Sequence, residues 1–214
     1  AIVYVPQSYD GTEPYGIYLH ITPSDGGLSP DKSYQDMMDK LKLIMVSPNK
    51  TSNSESNWRR IVLAMDSMAT AKHHYKVDNN RVFVGGLSGG GHMAMFCQVL
   101  YPEYFKGAIS HAAQSYLPDK TGNNCGHFPG LRLSDVKKSP RKDKKWAIVS
   151  GDKDQNYQRI LAENKSWESA KFDFKFFDVP GMGHHNAPAD TLEEILTWMD
   201  AEKEKSSPSS RLRR

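Results

Sequence analysis

In the stretch from Arg81 to Met95, Gly86, Ser88 and Gly90 satisfy the spacing G-x-S-x-G. That spacing forms a tight strand-to-helix turn that lifts a serine hydroxyl above the edge of a sheet. Glycines flank the serine because its backbone is strained and the adjoining strand and helix leave no room for a Cβ. The context fits, since a Val/Phe run precedes the turn and a helical run bearing Ala, Met and Phe follows it. A plain glycine-rich connection or a phosphate-cradling loop is the competing reading. The stretch has neither G-x-G-x-x-G nor a P-loop lysine.

An unassisted hydroxyl is a poor nucleophile at neutral pH, so Ser88 needs a base and an acid to orient that base. In the strand–turn–helix setting these follow in the order Ser, acid, His, at the carboxyl ends of later strands. Two segments supply them. The run 146–150 leads into Gly151-Asp152-Lys153-Asp154, and 172–178 leads into Val179-Pro180-Gly181-Met182-Gly183-His184-His185. Asp154 can alternatively cap a helix, and His184 a turn. Asp152, directly after Gly151, suits an Asx turn. Of the other histidines, His92 and His111 either line the site or pack with their rings hydrogen-bonded. His73 and His74 sit at a helix end, where imidazolium complements the dipole. No spacing of His or carboxylates suggests a metal, and no cofactor is expected.

The elements that must position these groups alternate along the chain. Strands are expected at 2–5, 16–21, 43–46, 81–84, 107–110, 146–150 and 172–178, and helices at 33–41, 57–75, 90–99, 156–169 and 191–202. This alternation predicts an α/β domain with a mostly parallel sheet flanked by helices. In the helix at 57–75, Trp58, Ile61, Val62, Met65 and Ala69 mark the stripe expected to be buried. Residues 115–145, rich in Pro and Gly, read as an irregular excursion too small for a cap domain. Residues 1–202 form the expected catalytic domain, and 203–214 a disordered Ser/Pro-rich basic tail.

With 214 residues, one domain is the default. No apolar run reaches the length of a membrane helix, so no membrane span is expected. Lys and Arg number 28 against 25 Asp and Glu, giving a net charge of +3 with the signs interspersed, which argues against a nucleic-acid partner. Cys97 and Cys125 lack C-x-x-C spacing and read as two thiols, with a single disulfide as the alternative. The chain opens on Ala1 without a charged-then-apolar leader, so any signal peptide has been removed or was never present.

At these residues the chain resembles the α/β-hydrolase esterases of the poly(3-hydroxybutyrate) depolymerase and feruloyl or acetylxylan esterase type. The resemblance runs through Tyr4-Val5-Pro6-Gln7-Ser8-Tyr9 with Pro14-Tyr15, Leu19-His20, Val77-Asp78, the Ser88 turn and the loop Asp178 to His184. It implies Ser88 as nucleophile, Asp154 as acid and His184 as base, acting on small or polymeric esters. His111 and His185 are candidates for contact with substrate. Gly89, one residue past the nucleophile, would supply the first oxyanion N–H. Where such enzymes follow the His of Leu-His with Gly, this chain has Ile21-Thr22-Pro23. Pro23 cannot donate, which leaves Thr22 as the second donor and Ile21 in reserve. An initial hairpin strand expected by the resemblance would precede residue 1. The compartment stays open, with an extracellular or periplasmic one preferred. The competing functions are a serine peptidase or thioesterase with the same three residues, and a non-catalytic binding protein.

Overall fold

The computed structural model describes residues 1–113 and 143–201. Most of the expected excursion at 115–145, with Cys125, and all of the expected tail at 203–214 lie outside the described residues. Seven strands form one sheet: β1 (Ile2–Tyr4), β2 (Tyr15–Ile21), β3 (Leu43–Ser47), β4 (Val77–Leu87), β5 (Gly107–His111), β6 (Lys145–Ser150) and β7 (Asp173–Asp178). Their order is β1-β3-β2-β4-β5-β6-β7. β1 runs antiparallel to β3, and every other pairing is parallel. Five described helices accompany them: α1 (Lys32–Leu41), α2 (Asn57–His74), α3 (Gly89–Leu100), α4 (Tyr157–Ser169) and α5 (Ala189–Asp200).

Parallel strands need crossover connections, and helices making those crossovers cover both sheet faces. Accordingly β2, β3, β5 and β6 are buried at every position. On one face Ile17, Leu19 and Trp146 pack with Ile61 of α2, Met93 of α3 and Trp167 of α4. On the other, Tyr18, Phe83 and Ala147 pack with Met38 of α1 and Ile195 of α5. No cap domain stands over the sheet among the described residues, and none of their helices is long and apolar enough to cross a membrane.

Two elements depart from expectation. The buried stripe of α2 is Arg60, Ile61, Ala64, Met68 and Ala71, about one position away from the expected one. Trp58 and Val62 are about half exposed, at 56% and 50%. The small Ala64 and Ala71 fit against the sheet, and Arg60 turns inward because its Nε donates to the Thr51 carbonyl at 2.8 Å. β4 begins four residues before the expected strand, at Val77, where it pairs with Tyr15 across a register shift. Cys97 is a buried free thiol whose pKa burial pushes up to about 12.

Candidate active site

Ser88 links β4 to α3 with φ 53° and ψ −123°, a left-handed-side backbone that a serine adopts only under constraint. Its N–H donates to the His111 carbonyl at 2.9 Å, which ties the turn to the end of β5. The flanking glycines have a packing reason. A Cβ on Gly86 would meet the Gly90 carbonyl at 2.5 Å and the Ile21 carbonyl oxygen at 2.6 Å, and one on Gly90 would strike the Ile21 carbonyl. The first turn of α3 is thus packed onto the end of β2, beside Thr22. Thr22 is buried, and its hydroxyl donates to the carbonyls of Ser24 at 3.0 Å and Gly26 at 2.8 Å.

Asp154 and His184 meet although 30 residues separate them. β6 and β7 are neighbours, so the loops leaving their carboxyl ends lie side by side. Gly151 lets those loops touch, since a Cβ there would run into the Val179 carbonyl and come within 2.9 Å of the Met182 nitrogen. The Lys153 N–H then donates to the Met182 carbonyl at 3.2 Å. The Asp154 side chain is buried, and its Oδ1 lies 2.9 Å from His184 Nδ1. The Ser150 hydroxyl donates to Oδ2 at 2.7 Å and the Asn156 N–H to Oδ1 at 3.0 Å. A carboxylate held this way keeps the imidazole proton on Nδ1 and leaves Nε2 free to accept another. Among the described residues Ser88 Oγ has no hydrogen bond to His184; such contacts often tighten only when substrate is bound.

Asp152 takes another part. It is exposed and accepts from the Gly181 N–H, which holds its carboxyl below the usual range. Its partner is therefore the neighbouring loop, where an Asx turn would have used its own.

Of the two histidines expected at the substrate, His185 is exposed. With Leu28, Pro30, Tyr34 and Asn186 it lines a cleft of about 340 Å³. His111 is fully buried with both ring nitrogens engaged in the interior, the packing arrangement that its sequence position also allowed. The Ala187 N–H donates to Nδ1 at 3.0 Å, so the ring proton is on Nε2, which donates to the Tyr18 hydroxyl at 3.0 Å. That hydroxyl in turn donates to His20 Nδ1 at 3.0 Å. Among the described residues His20 Nε2–H is then buried with no partner. Burial lowers the His20 pKa to about 3 and that of His111 well below its ordinary value, so both are neutral. Through its carbonyl His111 holds the Ser88 turn, and through its ring the loop after His184. The Tyr34 hydroxyl grips the same loop by donating to the Ala187 carbonyl at 2.7 Å.

Sequence reading missed Tyr18, His20 and Tyr34 in this framework. It also missed Asn53, whose carboxamide lies against Gly89. Only their polarity within or beside apolar runs could have flagged them.

Residues 61–120 match the prolyl oligopeptidase family. No curated protein matches the chain in sequence. Solved structures resemble it over most of its length. S-formylglutathione hydrolase from Staphylococcus aureus shares 18% identity at a TM-score of 0.69, over 93% of this chain and 91% of that one. A ferulic acid esterase shares 17% at 0.67, over 92% and 90%. A putative dipeptidyl aminopeptidase IV from Bacteroides ovatus shares 19% at 0.63, over 92% of this chain and 32% of that one. With this sheet order, a strained serine at the strand-to-helix turn and these structural neighbours, the chain is a protein of the α/β-hydrolase fold.

Proposed function

We propose that residues 1–202 form a serine hydrolase that cleaves carboxylic esters through an acyl-enzyme. The observation that carries this reading is the buried Asp154 carboxylate 2.9 Å from His184 Nδ1, at the sheet edge that also bears the strained Ser88. Ser88 Oγ attacks the ester carbonyl as its proton passes to His184 Nε2, and Asp154 stabilises the imidazolium. The N–H groups of Gly89 and Thr22 receive the charge that develops on the carbonyl oxygen. Collapse of the tetrahedral species breaks the bond to the alcohol, which leaves with the proton from His184. Water, deprotonated by the same imidazole, then releases the acid and restores the serine.

The leaving alcohol must depart on the histidine side. The cleft lined by His185 touches none of Ser88, Asp154 and His184, so only the place of His185 next to His184 in the chain favours it as the seat of a small alcohol or the end of a polymeric ester. The ferulic acid esterase among the neighbours supports a plant-cell-wall ester as one such substrate.

The match of residues 61–120 to a peptidase family favours a second reading, amide cleavage by the same groups. Thioester cleavage is a further variant, prompted by the S-formylglutathione hydrolase neighbour. Initial rates on p-nitrophenyl acetate, methyl ferulate, an S-acyl glutathione and a prolyl p-nitroanilide, with Ser88→Ala as control, separate the three. Oxygen esters turned over fastest, with under about 1% remaining in Ser88→Ala, is the expected result. Faster anilide or thioester cleavage would replace the ester reading.

A further inference from the structure

Gly89 has no side chain, and the space beside it is filled from another loop. A Cβ built on Gly89 would strike the Asn53 Oδ1, with Cγ 2.8 Å and Nδ2 3.1 Å away, so the carboxamide turns its oxygen toward Gly89. Asn53 thus puts a polar group where the residue after the nucleophile would project its own side chain. The loop that carries it is firmly held. The Asn53 N–H donates to the Pro23 carbonyl at 3.0 Å, next to Thr22. The buried Thr51 hydroxyl donates to the Thr22 carbonyl at 3.4 Å, and buried Arg60 holds the Thr51 carbonyl. Asn53 is an exposed residue, and its carboxamide makes no hydrogen bond among the described residues.

On these grounds we infer that Asn53 is a catalytic residue whose Nδ2–H donates a third hydrogen bond to the oxyanion, beside the N–H groups of Gly89 and Thr22. This rests on the esterase reading above. Amide oxygen and nitrogen are interchangeable by a flip about the terminal torsion, so the carboxamide can turn its donor toward negative charge as it forms. A neutral side-chain donor poised there acts on the transition state more than on the bound ester, whose carbonyl carries little charge. It also offers a role for glycine at 89, since any larger residue would displace the carboxamide.

The test is steady-state hydrolysis of p-nitrophenyl acetate, with inhibition by phenylboronic acid, which forms a tetrahedral adduct on serine. Asn53→Ala is expected to lower kcat about 10- to 100-fold with KM within about threefold, and to weaken boronate inhibition in proportion to kcat/KM. Asn53→Asp, which replaces the donor by a negative charge, should lose at least as much. Gly89→Ala should displace the carboxamide, so the double variant Asn53→Ala/Gly89→Ala should be no slower than Gly89→Ala alone. Wild-type turnover with Asn53→Ala within twofold in kcat, a change confined to KM, or losses that multiply in the double variant would each overturn the inference while leaving the esterase reading in place. A wild-type protein that neither turns over the ester nor reacts with a fluorophosphonate would overturn both.

Discussion

Asp152 and Asp154 stand two residues apart and face different partners, and so do His184 and His185. Asp154 is buried against His184, whereas exposed Asp152 fastens the Gly181 N–H. His185 Nδ1 faces the Asn186 carbonyl at 2.8 Å and has no part in the Asp154 contact. Kinetics on four variants should divide accordingly. Asp154→Asn lowers kcat by roughly 10²–10⁴ because the wrong imidazole tautomer is then allowed, and His184→Ala does at least as much harm. Asp152→Asn and His185→Ala each cost less than about tenfold. A reversed order within either pair would reassign that pair. Local sequence made these candidates legible: each follows an apolar strand, and glycines mark its turn. Asn53 was not legible, because only the fold brings it beside Gly89, 36 positions along the chain.

At the scale of elements, the Tyr18 hydroxyl joins β2 to β5, and His111 carries the link on to the loop before α5. Tyr18→Phe leaves His20 Nδ1 and His111 Nε2 buried without that partner, at about 1–3 kcal/mol for each unsatisfied group. Urea denaturation should show a loss of about 2–4 kcal/mol, and a loss under about 0.5 kcal/mol would mean that the network does not stabilise the fold. The order of strands and helices was readable because continuous apolar runs and helical periodicity are local signals. The stripe of α2 was misplaced because inward-facing Arg60 reads as a surface residue until its bond to Thr51 is seen. The start of β4 was missed because Asp78, Asn79 and Asn80 are polar and strand-averse; Val77 is drawn into the sheet by Tyr15. His111 is 93 residues from Tyr18 and 76 from Ala187, separations that no window along the chain spans.

For the whole molecule, buried titratable groups set how stability depends on pH. His20 and His111 stay neutral in the fold far below pH 6.5, whereas unfolded imidazoles take up protons near that value. Between pH 6.5 and 5, unfolding therefore binds up to about two protons at these sites, and stability rises with pH. Glu163 has the opposite sign. Burial raises its pKa to about 7, so the folded carboxyl is protonated where an unfolded one is ionised. Being only partly buried, it offsets at most about one of the two protons. The net slope is positive, up to about 1.4 kcal/mol per pH unit for each proton bound. Urea midpoints measured from pH 5 to 6.5 should climb, and more steeply in Glu163→Gln. A flat or falling profile would contradict neutral buried imidazoles. An activated Ser88 is the centre of the proposed chemistry, and mass spectrometry of the whole chain after exposure to a fluorophosphonate reads it most directly. One adduct per molecule is expected, mapped to Ser88 and absent from Ser88→Ala; an unmodified chain, or an adduct on another residue, would overturn Ser88 as the nucleophile.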